Sequence, residues 1–158
     1  MKHLTRTFFA AVLSFAPISL LAAPPAATEK KADQEIVIEG NDQLQFNKKT
    51  LEIKAGETVK LTLKHTGVIP KVAMGHNVVI LRKGTILASW AVKAMSAAAT
   101  DYIPADKESK DAVIAHTKTL GGGETDTITF SIAEAGDYQY LCSFPGHFAI
   151  MQGTLTVK

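Results

Sequence analysis

The sequence predicts an all-β fold, a two-sheet Greek-key β-sandwich with a short helical flap inserted around residues 85–118. Three observations carry this reading. Short runs with an apolar residue at every second position recur along the chain, turn-forming residues separate them, and one Ala- and Lys-rich stretch interrupts them. With 158 residues, 46% of them hydrophobic and 20% charged, the chain suits one domain with a sizeable core.

The amino-terminal stretch MKHLTRTFFAAVLSFAPISLLAA differs from the rest. Lys2 and Arg6 precede an apolar run from Phe8 to Ala23 that contains Pro17 and ends in small residues. This is the pattern of a secretory signal peptide over residues 1–22, with a retained membrane anchor as the competing reading. The boundary has no cysteine for a lipid anchor, so the mature form is expected to be exported without one. Residues 23–34 read as a flexible arm rich in Pro and Ala, and residues 35–158 as the folded domain. The leader holds two of the 17 basic residues and none of the 15 acidic ones, which leaves 15 of each. Such a balance, without basic blocks, gives no reason to expect nucleic-acid binding.

Within the domain, EIVIE (Glu35 to Glu39) alternates, and Val59, Leu61 and Leu63 share one face of the run from Thr58 to Lys64. Ile128, Phe130 and Ile132 repeat the pattern, as do Leu155 and Val157. The turns AGE (Ala55 to Glu57) and EAGD (Glu134 to Asp137) lie between such runs, so half-buried antiparallel strands are expected. Tyr138, Tyr140 and Cys142 fall on one side of a late strand, and a Tyr shortly before a Cys there matches the tyrosine corner of Greek-key sandwiches. Between Thr85 and Lys118 the composition favours one or two short helices, punctuated by Pro104 and followed by Gly121 to Gly123.

Chemistry concentrates near the carboxyl end. Cys142 is the single cysteine, so an exported chain has no internal disulfide, and its thiol is either an inert core residue or a ligand. The Pro-Gly turn of SFPG follows it, then His147 and Met151. A thiolate, an imidazole and a thioether at one looped strand end are the donors of a mononuclear blue-copper site, which also needs a second imidazole. His65, His76 and His116 are available. His76 ranks first because MGHNVVI opens an apolar strand, whereas His65 and His116 have polar neighbours; spacing alone does not decide among them.

Four stretches then resemble one family. GNDQLQFN (Gly40 to Asn47), MGHN (Met74 to Asn77), VIAHTK (Val113 to Lys118) and CSFPGHFAIMQGTLTVK (Cys142 to Lys158) are similar to azurins, periplasmic electron-transfer proteins of the cupredoxin fold. The Cys-x4-His-x3-Met spacing sets them apart from plastocyanin-like and amicyanin-like members, whose gap between Cys and His is shorter. The resemblance implies one copper ion cycling between Cu(II) and Cu(I). His76, Cys142 and His147 would form its plane, Met151 would be a long axial ligand, and the Gly75 carbonyl would approach weakly from the other side. Backbone N–H groups of Asn77 and Phe144 would hydrogen-bond the sulfur, and the Asn77 side chain would tie the two ligand loops together. Leu44, Ile69, Met74, Pro145, Phe148 and Ile150 would form an apolar docking patch. Its partners would be transient redox proteins such as cytochromes or periplasmic oxidoreductases, met by a monomer. His65 is similar to a histidine that azurins keep near the site, with a structural or a redox-linked role left open.

The chain also departs from the family. Gln34 and Gly56 stand where azurins usually carry a disulfide, Val78 replaces a buried Trp, and Phe148 replaces a small residue. Trp90, in the flap, reads as a packing residue. The function this implies is electron transfer, with a copper-binding or delivery protein lacking redox turnover as the alternative. A Cys–His enzyme is disfavoured because the sequence shows no evident acidic or amide residue to orient the base and Met151 would have no job.

Overall fold

The structure, a computed structural model, describes residues 31–158. The expected signal peptide over residues 1–22 and most of the arm expected over residues 23–34 lie outside that range. The arm ends sooner than expected: Gln34 opens a strand, and the N–H and carboxylate of Asp33 both bond the backbone of Thr58.

Nine strands form two sheets among the described residues. One is ordered β2 (Gln45–Phe46), β1 (Gln34–Asn41), β4 (Val59–His65), β7 (Thr125–Phe130). The other is ordered β3 (Thr50–Ile53), β9 (Gln152–Val157), β8 (Gly136–Leu141), β5 (Val79–Leu81), β6 (Val113–His116). The strands are not all antiparallel as period-two spacing led us to expect. β1 runs parallel to β4 and β3 parallel to β9, because the chain crosses between sheets at these points. Side-chain alternation reports which face is buried and carries no information on strand direction.

The core lies between the sheets. Ile38, Leu61 and Leu63 from one sheet meet Ile80, Tyr140 and Leu155 from the other, all completely buried. Each aliphatic side chain buried in this way contributes about 1.5–3 kcal/mol. The Tyr138 hydroxyl donates to the Glu134 carbonyl at 2.8 Å, closing the corner between β7 and β8. The Tyr140 hydroxyl donates to the Lys48 carbonyl at 2.6 Å and so pins β8 to the loop before β3.

The helical insertion is α2 (Leu87–Ala94), a 3-10 turn (Ala98–Thr100) and α3 (Lys107–Asp111), preceded earlier in the chain by the short α1 (Lys71–Met74). Its helices end at Asp111; the last part of the stretch first assigned to the flap is strand β6, on the edge of the second sheet. The flap covers the outer face of that sheet. Leu87, Trp90, Ala91 and Ala94 pack with Val79, Leu81 and Leu141 in a second small core. This explains why β5 reads as an unbroken apolar run: both of its faces are covered. The Trp90 indole N–H donates to the Ser109 carbonyl at 2.9 Å, joining α2 to α3. Asp106 caps α3 by accepting from the Ser109 N–H at 3.0 Å.

Candidate metal centre

One end of the sandwich gathers the reactive side chains. The ends of β1, β4 and β8 and the starts of β5 and β9 meet there, so three loops converge on a small volume.

Cys142 follows the last residue of β8, and its N–H donates to the Met151 carbonyl at 2.9 Å. The chain then turns. Gly146 has φ of 81° behind Pro145, and the His147 N–H bonds the Phe144 carbonyl at 3.1 Å. Pro-Gly at the centre of such a turn suits the positive φ that only glycine adopts freely. The Met151 N–H then donates to the His147 carbonyl at 2.8 Å. Residues 142–151 thus form a loop closed by its own backbone, with Cys142, His147 and Met151 all facing inward and buried.

His76 comes from across the sheet. It does not open β5 as the apolar pattern implied, but precedes it, held in an isolated bridge with Leu120 by backbone bonds of 3.0 and 2.7 Å. Its Nε2 lies 2.9 Å from the Asn41 carbonyl. A carbonyl only accepts, so Nε2 carries the proton and the neutral ring turns a lone pair on Nδ1 inward. A carbonyl partner leaves no trace in a sequence, which is why Asn41 escaped notice within GNDQLQFN.

The three donor atoms lie together. Cys142 Sγ is 3.9 Å from His76 Nδ1 and 3.6 Å from His147 Nδ1, and the two nitrogens are 3.2 Å apart. Nitrogen and sulfur donors bonded at about 2.0–2.3 Å to one ion, at angles of roughly 110–120°, stand about 3.3–3.8 Å from each other. The cluster therefore fits a single metal ion. The soft thiolate beside two imidazoles is a donor set suited to copper.

Burial dictates the charge of these groups when no ion is bound. It pushes the Cys142 thiol up to about 12, against the pull of the Asn77 and Phe144 N–H groups that point at the sulfur. It lowers His147 to about 4, helped by repulsion from His76 and then His65. His76 is also lowered by burial, partly offset by its bond to Asn41. A neutral site of this kind binds a cation with loss of protons, the usual linkage between metal and acid.

The surroundings are packed. The Asn77 amide donates to Ser143 Oγ and its carbonyl accepts from the Ser143 N–H, both at 2.8 Å, so it spans from the His76 segment to the Cys142 loop. The Gly75 carbonyl is 3.8 Å from Cys142 Sγ. A Cβ on Gly75 would lie 2.7 Å from the Phe144 ring and from the Thr119 methyl. His65 stacks on His76 with centroids 4.3 Å apart and is itself buried. Its Nε2 bonds the Met74 carbonyl and its Nδ1 accepts from the Gly67 N–H, which satisfies one neutral tautomer completely.

Residues 32–158 match the family described as copper binding proteins, plastocyanin/azurin. The chain belongs to this family. It is 45% identical over 125 residues to the azurin of Alcaligenes faecalis, covering 77% of this chain and 95% of that protein. Among solved structures, it resembles dithionite-reduced auracyanin from Roseiflexus castenholzii with a TM-score of 0.70 and 34% identity, covering 81% and 99% of the two chains. Auracyanin A from Chloroflexus aurantiacus, described as a "blue" copper protein, gives a TM-score of 0.70 and 35% identity over 78% and 98%. The family and the His-Cys-His cluster together make this a blue copper protein with a single copper ion as its cofactor.

The remaining expected residues divide. Pro145 and Ile150 are exposed, and Leu44, Ile69 and Met74 are half-buried. Phe148 packs against the flap's core, so part of its ring is turned away from the patch. Val68, in a loop, and Val72, in α1, are 87% and 90% exposed beside Ile69 and Met74; two β-branched residues so close to Met74 were the signal that pattern reading passed over. His116 sits on the edge strand β6 and takes no part in the cluster. A surface groove of about 510 Å³ runs between Arg82, Trp90 and Ala112, and shares no residue with the cluster.

Proposed function

We propose that this protein is an exported, periplasmic electron carrier whose copper is held by His76, Cys142 and His147, with Met151 as a long, weak ligand and the Gly75 carbonyl as a weaker contact. Copper bound there supplies one-electron exchange between Cu(II) and Cu(I). The observation that carries the reading is the buried set of three donors within 3.9 Å of one another, drawn from two loops.

The chain's own residues favour transfer over catalysis. The Asn41 carbonyl and the 144–147 turn hold the imidazoles in place before metal arrives, so little rearrangement accompanies a change of charge. The donors are buried and their surroundings filled, which leaves no open position for a substrate, as a catalytic metal site would need. We infer that this is a carrier rather than an enzyme. Pro145 and Ile150, in the loop that carries His147, and the exposed Val68 and Val72 supply apolar surface for brief, small encounters with redox proteins, a role a monomer can fill. Export rests on the leader at residues 1–22, and the periplasm on the likeness to azurins.

The test is the absorption spectrum of the copper-loaded protein. An intense blue band that bleaches on reduction and returns on oxidation is expected. Cys142→Ser should abolish it, while Met151→Leu should keep the colour and raise the potential. A colourless Cu(I) form that does not cycle would instead establish delivery, and a Cys142→Ser protein as blue as the parent would remove the sulfur from the site.

A further inference from the structure

The flap approaches the donor cluster through a strained turn. Asp101 and Tyr102 are consecutive non-glycine residues with φ of 57° and 62°. Such a conformation costs free energy and persists only where its surroundings over-determine it. Here they do. The Asp101 carboxylate accepts from the Thr119 N–H at 2.7 Å and from Lys71 at 3.1 Å, and the Tyr102 N–H bonds the Ala97 carbonyl at 2.9 Å. The turn thus ties the flap to the segments carrying Gly75 and Leu120.

What the strain achieves is the placement of one ring. Tyr102 meets Phe144 edge to face, with centroids 5.0 Å apart at 64°. Phe144 in turn lies 4.8 Å from His147, and its backbone N–H points at Cys142 sulfur. Gly75 must lack a side chain for Phe144 to fit there. From this juxtaposition we infer that Tyr102 is a positioning residue for the sulfur: it clamps Phe144 over Cys142 and so keeps the Phe144 N–H on the thiolate and water off it. The inference deepens the copper reading above and rests on it for its redox consequence.

The sign follows from charge. An N–H bond to the thiolate withdraws electron density and disfavours Cu(II), as does exclusion of water. Tyr102→Ala should therefore lower the reduction potential and speed copper release. Tyr102→Phe should match the parent, because the contact is made by the ring.

The experiment measures both redox and metal-free properties of Tyr102→Ala, Tyr102→Leu and Tyr102→Phe. In the apo proteins, alkylation of Cys142 by iodoacetamide should quicken about 2- to 10-fold for Ala and Leu, the effect of losing one edge-to-face pair, and stay at the parent rate for Phe. Tyr102→Leu keeps bulk and serves if the Ala protein does not fold. A lower melting temperature with alkylation rate, copper release and potential all at parent values would make Tyr102 mere flap packing and overturn the inference. If the parent itself is not blue, the copper reading fails, while the alkylation rates still decide whether Tyr102 shields the sulfur.

Discussion

At the scale of single residues, close packing rather than charge sets the tolerances around the cluster. Gly75 is the clearest instance. Its backbone is ordinary extended chain, so glycine is not required by conformation. It is required by space, since a methyl group would sit 2.7 Å from both Phe144 and Thr119. Phe144 cannot swing aside without leaving His147 and Tyr102. Gly75→Ala should therefore cost about 1–3 kcal/mol as overpacking. Urea unfolding of the apo protein measures this, and an unchanged midpoint would show that Phe144 moves freely. Asn77 acts in the opposite sense, as a buried side chain whose two polar atoms are each bonded to Ser143.

At the scale of elements, the sandwich and the flap have separable duties. The ends of β1, β4 and β8 deliver the site, while α2 and α3 close the outer face of the second sheet. Trp90 binds the flap together through Ser109 and packs only within the second core. Trp90→Phe leaves the Ser109 carbonyl without its donor, at a cost of about 1–3 kcal/mol. The melting temperature should fall while the visible spectrum stays that of the parent. A shifted blue band in this variant would mean that the flap presses on the site through more than the turn at Tyr102.

At the scale of the whole molecule, the unmetallated fold should be stable over a limited pH range. The His147 imidazole ordinarily titrates at 6.5 but is held at about 4 when folded. As pH falls through this interval the unfolded chain takes up a proton that the folded chain refuses, so stability drops with acid; His76 acts in the same direction. The Cys142 thiol is displaced from 9.0 to about 12, so above pH 9 the unfolded chain releases a proton that the folded chain keeps, and stability drops with alkali. Each unit of displacement corresponds to about 1.4 kcal/mol. Urea midpoints of the apo protein at pH 4.5, 7.5 and 10.5 should peak at the middle value, and a flat profile would refute the argument. The opposite end of the sandwich, where β1 begins, lacks the disulfide usual in azurins. Gln34 instead donates to the Glu52 carbonyl at 2.9 Å, and Asp33 pairs with Thr58. Three such hydrogen bonds, at about 1 kcal/mol each, reach the lower part of the 2–5 kcal/mol typical of a native bridge.

The amino-acid sequence by itself determined which faces are buried and singled out Cys142, His147 and Met151 as candidate metal donors. Period-two spacing is a local property, so Val59, Leu61, Leu63 and Tyr140 were legible as core. The Cys-x4-His-x3-Met interval was legible as well, because a single loop holds it. Only the tertiary structure decided the rest. Strand direction, the Asn41 carbonyl that sets the His76 tautomer, the burial of His65 beneath His76 and the reach of Tyr102 to Phe144 all depend on backbone groups or on segments far apart in the chain. No local pattern records such contacts, since they exist only once folding has brought the two sheets and the flap to the same end of the molecule.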